Sequence, residues 1–486
     1  MKSRAGLSTL LLASAVASPA FADGGYYTGA LGARAAGRGG AFVARADDVT
    51  AVSINPAGLA DVDGTVVQVG NQFAHYGYDY TRAPTLDYGQ TPTPTQPTIF
   101  DKVHNGTPWQ AALPFIGVSS RLGLRDWAFA LAAFAPPGTS KEQFPIDGGQ
   151  RYMMVDRQAI ILNYAASAAW RFHDLFGVGV TLEWIAVPRL DYSLVINANP
   201  AQGAVNPVSS MYDILAETSG SDPFTFNAIV GAWFRPAPSL QFGLAGQVVP
   251  ANIVTHSKPT LTALDQAMLG NITTVDPQGN AANNVNVKLP LPLLVRGGGR
   301  YRHLAAGREL FDVELDVEYE TWSRANAFTL DSNGLVAKPS AAGVANQSVP
   351  IGTITVPKQW KDVLSVKLGG DFNLVPDRWT LRAGVYYETA AAPSAYANVD
   401  FAAGAQWGGA LGASLLLHRW EVALTYQLRY QPTFTVAEAD ARVYQQTPGG
   451  SCTAPAADPN VCNVNAGTYA ATSHLVSLAV VYRYGK

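Results

Sequence analysis

The sequence predicts an all-β fold: a transmembrane antiparallel β-barrel of about 14 strands with a small N-terminal helical hatch in its lumen. Three observations point there. Many segments of strand length alternate strictly between apolar and polar residues, charge is scarce, and an early stretch rich in Gly and Ala does not alternate at all.

The alternation is clearest at 311–322. There Phe311, Val313, Leu315, Val317 and Tyr319 interleave with Asp312, Glu314, Asp316, Glu318 and Glu320. One face is apolar and the other wholly acidic, a period of two rather than 3.6. The segment 420–431 repeats the pattern, with Trp420, Val422, Leu424, Tyr426, Leu428 and Tyr430 against Glu421, Ala423, Thr425, Gln427, Arg429 and Gln431. A membrane-crossing strand needs about 9–11 residues with every second side chain facing lipid. Segments that qualify lie near 65–77, 109–121, 126–135, 157–171, 176–196, 222–235, 239–254, 287–303, 309–324, 361–375, 378–388, 404–418, 419–434 and 472–484. Short connections such as Pro376-Asp377 and His418-Arg419 alternate with long ones, as short periplasmic turns and long outer loops do in such barrels. In hydrocarbon an unpaired backbone group costs several kcal/mol, so the sheet must close.

Composition agrees. Charged residues are 14% of the chain, against about 25% in ordinary soluble proteins, so much of the surface meets something other than water. Aromatics reach 10%, with 21 Tyr and 10 Trp, enough for interfacial girdles. A net charge of −3 and the lack of a basic block argue against a nucleic-acid partner. Lys2 and Arg4, the apolar run 10–17 and Ala20-Phe21-Ala22 read as a signal peptide over 1–22. No cysteine stands near Asp23 to carry a lipid, and no later run of about 18 apolar residues forms a membrane helix. Export thus leads to a Gram-negative outer membrane. Cys452 and Cys462 lie in a Pro-, Asn- and Ala-rich loop, where an oxidising compartment favours a local disulfide. The seven histidines are scattered without metal-binding spacing, so neither metal nor cofactor is expected.

On strand 287–303, Arg296, Arg300 and Arg302 oppose Leu293, Val295 and Tyr301. Arginine on the lipid face would cost roughly 2–4 kcal/mol at mid-membrane, so these should point inward beside the acidic row of the next strand. There they neutralise it, while Arg296 is a candidate contact for a substrate carboxylate. The domain division is a signal peptide at 1–22, a hatch at 23–64 and a barrel at 65–486. The hatch segment is too small for a core of its own, but small residues and the Asn-Pro and Gly breaks suit short helices packed in a lumen. Arg34, Arg38 and Arg45 of this segment are candidates to meet the acidic row.

Gly-Gly-Ala-Phe-Val-Ala-Arg-Ala-Asp-Asp at 39–48, followed by Asn-Pro-Ala-Gly-Leu at 55–59, resembles the FadL-type outer-membrane transporters of long-chain fatty acids and other hydrophobic compounds. Glu320-Thr321-Trp322-Ser323, Val356 to Asp362, Val366 to Gly370 and Leu381 to Thr389 extend the resemblance over most of the chain. The resemblance implies a fourteen-stranded barrel, a hatch gate at Asn55, Pro56, Ala57 and Gly58, and passive uptake with sideways exit at a kink in the third strand. Pro114 and Ala135-Pro136-Pro137-Gly138 mark the matching region, because proline removes a ladder donor. The implied partners are a hydrophobic small molecule and outer-membrane lipid and lipopolysaccharide around a monomer. The alternative is a general porin-type channel for small polar solutes, which leaves the hatch segment unexplained. An enzyme is not expected: the strand-borne His418 and His474 lack an acidic orienter.

Overall fold

A computed structural model of the chain describes residues 30–85, 96–136, 141–198, 210–280, 285–344, 347–401, 404–446 and 462–484. The signal segment, Pro137, Gly138 and Cys452 lie outside them. Cys462 is buried and disulfide-bonded.

The alternating segments form a closed antiparallel barrel in chain order. Its strands are β1 (Thr65–Arg82), β2 (Trp109–Ser120), β3 (Trp127–Phe134), β4 (Asp156–Phe172), β5 (Phe176–Asn197), β6 (Asp213–Ala237), β7 (Leu240–Gln247), β8 (Leu294–Ala305), β9 (Arg308–Glu320), β10 (Val363–Val375), β11 (Trp379–Glu388), β12 (Gln406–Leu417), β13 (Trp420–Val436) and β14 (Gly467–Tyr484). β14 returns to β1 in register from Thr65 opposite Tyr484 to Arg82 opposite Gly467, which removes both edges. The short turns at one rim place Leu122, His173, Ala306, Asp377 and His418 at positive φ, the twist that tight hairpins require.

Three strands differ from the sequence expectation. The segment expected at 222–235 is Asp213–Ala237, because its outer part pairs with a further strand, Asn252–Ala263, beyond the barrel wall. The segment expected at 239–254 divides into Leu240–Gln247 and Asn252–Ala263 around Pro250. That at 287–303 divides into Val285–Pro290 and Leu294–Ala305 around Pro290 and Pro292, where the ladder has no N–H to continue. The long connections are therefore structured. Asn252–Ala263, Val285–Pro290, Ala327–Asp331 and Ile354–Pro357 extend the sheet in that order. Over the lumen they enclose an apolar cluster that includes Trp322, Phe328, Leu330 and Trp360. Trp360 packs edge-to-face on Trp322 and Phe328, with ring centroids 5.3 and 5.5 Å apart.

The two faces of β9 show why alternation suffices to orient a strand. Val313, Leu315, Val317 and Tyr319 are exposed outward, while Asp312, Glu314 and Asp316 are at most 2% exposed inside. What covers them is the hatch, with α1 (Ala33–Gly37), α2 (Ala51–Ile54) and a 3-10 turn at Pro56–Asp61. Leu31, Phe42, Val49, Val52 and Leu59 pack against inward Phe115, Ala132 and Phe134 of the wall. Such short helices form through these contacts rather than through their own propensity. The fit is close enough to need glycine. A Cβ on Gly231 of β6 would stand 2.1 Å from Asn55 Oδ1, and one on Gly179 of β5 2.5 Å from the Ala57 nitrogen. Gly231→Val is expected to dislodge the 3-10 turn while the barrel stays closed. Limited proteolysis should then cut within 40–62 in the variant and not in the wild type, with the heat-modifiable electrophoretic shift of a folded barrel retained.

Candidate functional site

The hatch is held by charge. Arg38, fully buried, reaches Asp312 and Glu314 of β9 and Asp371 of β10, each at 2.8 Å, and its Nε donates to the Ala41 carbonyl. Arg45 lies 3.1 Å from both Asp312 and Asp371. Backbone donors of the hatch add to these: Asp316 Oδ2 accepts from the Phe42 and Val43 nitrogens at 2.7 and 2.9 Å, and Glu314 from Ala44 at 2.7 Å. Arg34 turns instead to Asp47 at 2.8 Å and toward Glu421 of β13. Burial alone would raise the Asp47 pKa, but Arg34 and Arg45 outweigh it and hold the carboxyl well below its ordinary value.

The Asn-Pro-Ala-Gly segment sits on the wall. Asn55 is wholly buried, its amide donating to the carbonyls of Val43 at 2.8 Å and Ala232 at 3.0 Å, while Oδ1 caps the 3-10 turn at Ala57. Trp233 of β6 donates its indole N–H to the Ala57 carbonyl at 3.0 Å. Arg296, Arg300 and Arg302 face inward across from Glu318, Glu314 and Asp312. Arg296 also donates to the carbonyls of Ser53 and Ile54 at 3.0 and 3.2 Å, tying the C-terminal end of α2 to the wall.

Beside the hatch lies a cavity of about 170 Å³. Leu31, Gly40 and Ile54 border it on the hatch side, and Phe134, Pro136, Glu183, Arg296, Glu320 and Gln427 on the barrel side. It reaches the point where the third strand leaves the ladder. Among the described residues, β3 pairs with β2 from Ser120 opposite Phe129 to Phe115 opposite Phe134, followed by a hydrogen bond from the Ala135 nitrogen to the Pro114 carbonyl. Pro114 and Pro136 thus flank the end of the ladder. On the other side, Phe134 pairs with Asn163 and Lys141 with Gln158. The chain advances seven residues, 134 to 141, while β4 advances five, 163 to 158, so two residues are in excess, and Ala135 and Pro136 stand outside the strand that ends at Phe134. Across the gap, side chains stand in for the ladder, as when Gln110 donates to the Lys141 carbonyl at 3.0 Å.

Outside this stretch the wall carries a groove of about 760 Å³ facing lipid. Ala133 and Ala166 form its floor between Leu131, Tyr164, Trp184 and Phe226. Tyr164 and Trp184 rings lie 5.0 Å apart, and the Trp184 indole donates to the Pro223 carbonyl. Glu183 belongs to this region and was not among the residues singled out from sequence. Its lumenal side is nonetheless readable from the alternation of Val178, Val180, Leu182 and Trp184 on the other face.

A closed barrel whose lumen is filled by its own N-terminal segment defines a hatch-bearing outer-membrane protein. The chain belongs to the outer membrane protein transport protein family (OMPP1/FadL/TodX), whose model matches residues 11–418. Among solved structures it is similar to a Pseudomonas aeruginosa FadL homologue, at 15% identity and TM-score 0.73, covering 95% of this chain and all of that one. It is similar also to the P. putida toluene transporter TodX, at 12% identity and TM-score 0.63 over 94% and 99% of the two chains. The Ralstonia pickettii toluene transporter TbuX aligns at 13% identity and TM-score 0.58 over 93% and 98%. No curated protein matches by sequence. The family is one of transport proteins for hydrophobic compounds in the outer membrane.

Removing Arg38 strands buried carboxylates, which typically costs about 3–5 kcal/mol. Arg38→Ala should therefore raise hydrogen exchange of residues 38–48 by orders of magnitude. Arg302→Ala, at a pair left partly exposed to solvent, should change it by less than about 1 kcal/mol.

Proposed function

We propose that this protein carries hydrophobic small molecules, long-chain fatty acids and hydrocarbons among them, passively inward across the outer membrane, releasing them sideways through the wall at the break in β3. The observation that carries this reading is the coincidence of three features at one height. The two-residue excess in β3, the cavity bordered by Phe134 and Pro136, and the lipid-facing groove at Ala133 and Ala166 all meet there. A solute that is poorly soluble in water gains by moving from one apolar lining to another without crossing the periplasmic end. In this reading Asn55 to Gly58 are the hatch's stop, and Arg296 is chiefly its latch, since its guanidinium already serves the Ser53 and Ile54 carbonyls and Glu318.

Ala166 is exposed on the lipid face, so a large side chain there fills the groove without entering the lumen. Ala166→Trp is expected to slow uptake of a labelled hydrocarbon roughly five- to tenfold, about 1–1.4 kcal/mol on the barrier, with barrel folding intact. Unchanged uptake would contradict a route through this wall. In planar bilayers the wild type should show almost no steady ion conductance. A large ohmic conductance would favour the porin reading instead.

A further inference from the structure

We infer that Glu183 is a charge filter at the exit, so that this transporter passes hydrophobic molecules in their neutral form, fatty acids only when protonated, and turns back ionised carboxylates. The inference rests on the sideways route proposed above and names the substrate class that route admits.

Glu183 lines both the lumenal cavity and the lipid-facing groove. It is 3% exposed, lies opposite Ala165 in the β4 ladder, and is flanked along β5 by Leu182 and Trp184, which face lipid at 52% and 46% exposure. Its carboxylate accepts a hydrogen bond from the Asn227 amide, a neutral partner. Around the cavity carboxyl groups outnumber cationic side chains: Glu183, Glu318, Glu320 and Glu388 stand against Arg296 and Lys367. Both cations are committed to the same carboxylate, Lys367 Nζ at 3.0 Å and Arg296 Nε at 3.2 Å from Glu318. Arg296 gives its Nη1 to the hatch carbonyls.

The rest of the polar lining is mixed: Arg296 Nε and the Tyr386 hydroxyl, both able to donate, and two acceptors lack a hydrogen-bond partner among the described residues, and of these four Asn163 alone lies on β4, the strand beside the exit. Asn163 Oδ1 and Gln427 Oε1 are buried at the cavity with no hydrogen-bond donor among the described residues. An anionic head moving from cavity to groove would thus meet the Glu183 carboxylate and the Asn163 Oδ1 acceptor in a medium of low dielectric, where like charges a few ångströms apart repel strongly. An alkane or aromatic ring meets no such cost, and a hydroxyl head can donate to those acceptors.

The test uses cells lacking the protein, supplied with the wild type or Glu183→Gln. Uptake is compared for a labelled long-chain fatty acid and the primary alcohol of the same length, at about pH 8 so that the acid is ionised. Glutamine keeps an oxygen for the Asn227 amide and removes the charge, and the alcohol reports that the barrel still works. The wild type should prefer the alcohol, and the variant should raise acid uptake roughly tenfold while leaving the alcohol within about twofold. An unchanged acid-to-alcohol ratio in the variant, or a parallel fall of both, overturns the filter. Failure of the wild type to take up either compound overturns the transport reading itself and the filter with it.

Discussion

The structure turns on the burial of Arg38 among Asp312, Glu314 and Asp371. A row of carboxylates on the inner face of a membrane strand is costly unless something compensates it. Here Arg38 and Arg45 from the hatch and Arg300 and Arg382 from the wall answer Glu309, Asp312, Glu314 and Asp371, while Asp316 is met by two backbone N–H groups of the hatch. Each half is unfavourable alone. The hatch lacks a core, and the barrel without it would leave Glu314 and Asp316 without the hatch donors that meet them and Asp312 and Asp371 with wall arginines alone.

That mutual dependence bears on how solute passes. A hatch tied by buried ion pairs, by the Asn55 amide and by the Trp233 indole leaves a small cavity rather than an open pore. The wall next to that cavity is made differently from the wall that grips the hatch. β3 and the facing part of β4 are rich in alanine, and β3 is short, ends at Phe134 and, among the described residues, is followed by a pairing with β4 two residues out of step. On the lateral route proposed above, firm attachment on the β9–β10 side and weak pairing on the β2–β4 side would direct a solute toward the latter.

Much of this was legible in the sequence. All fourteen spanning segments were visible because each has one face in lipid and one in the lumen, and period two survives any uncertainty at the ends. The inward turn of Arg296, Arg300 and Arg302 followed from the cost of charge in hydrocarbon, and so did the meeting of Arg38 and Arg45 with the acidic row. Outer extensions such as the start of β6 at Asp213 were not visible, since strands above the membrane carry no lipid-facing pattern. The break in β3 was signalled by Pro114 and Pro136, but its two-residue excess is a relation between strands that no single segment encodes. Glu183 read only as one more lumenal residue, because its place between cavity and groove depends on the packing of several strands.

The central claim is that solute crosses the wall beside β3 and does not pass the hatch toward the periplasm. Photolabelling with a diazirine-bearing hydrocarbon during uptake by intact cells, with labelled residues identified by mass spectrometry, tests it most directly. The account predicts label on Phe134 and Pro136 inside and on Tyr164 and Trp184 outside, with Leu59, Ala60 and Val62 at the far side of the hatch unmarked. Label concentrated on Leu59, Ala60 and Val62, with Tyr164 and Trp184 clean, would contradict it.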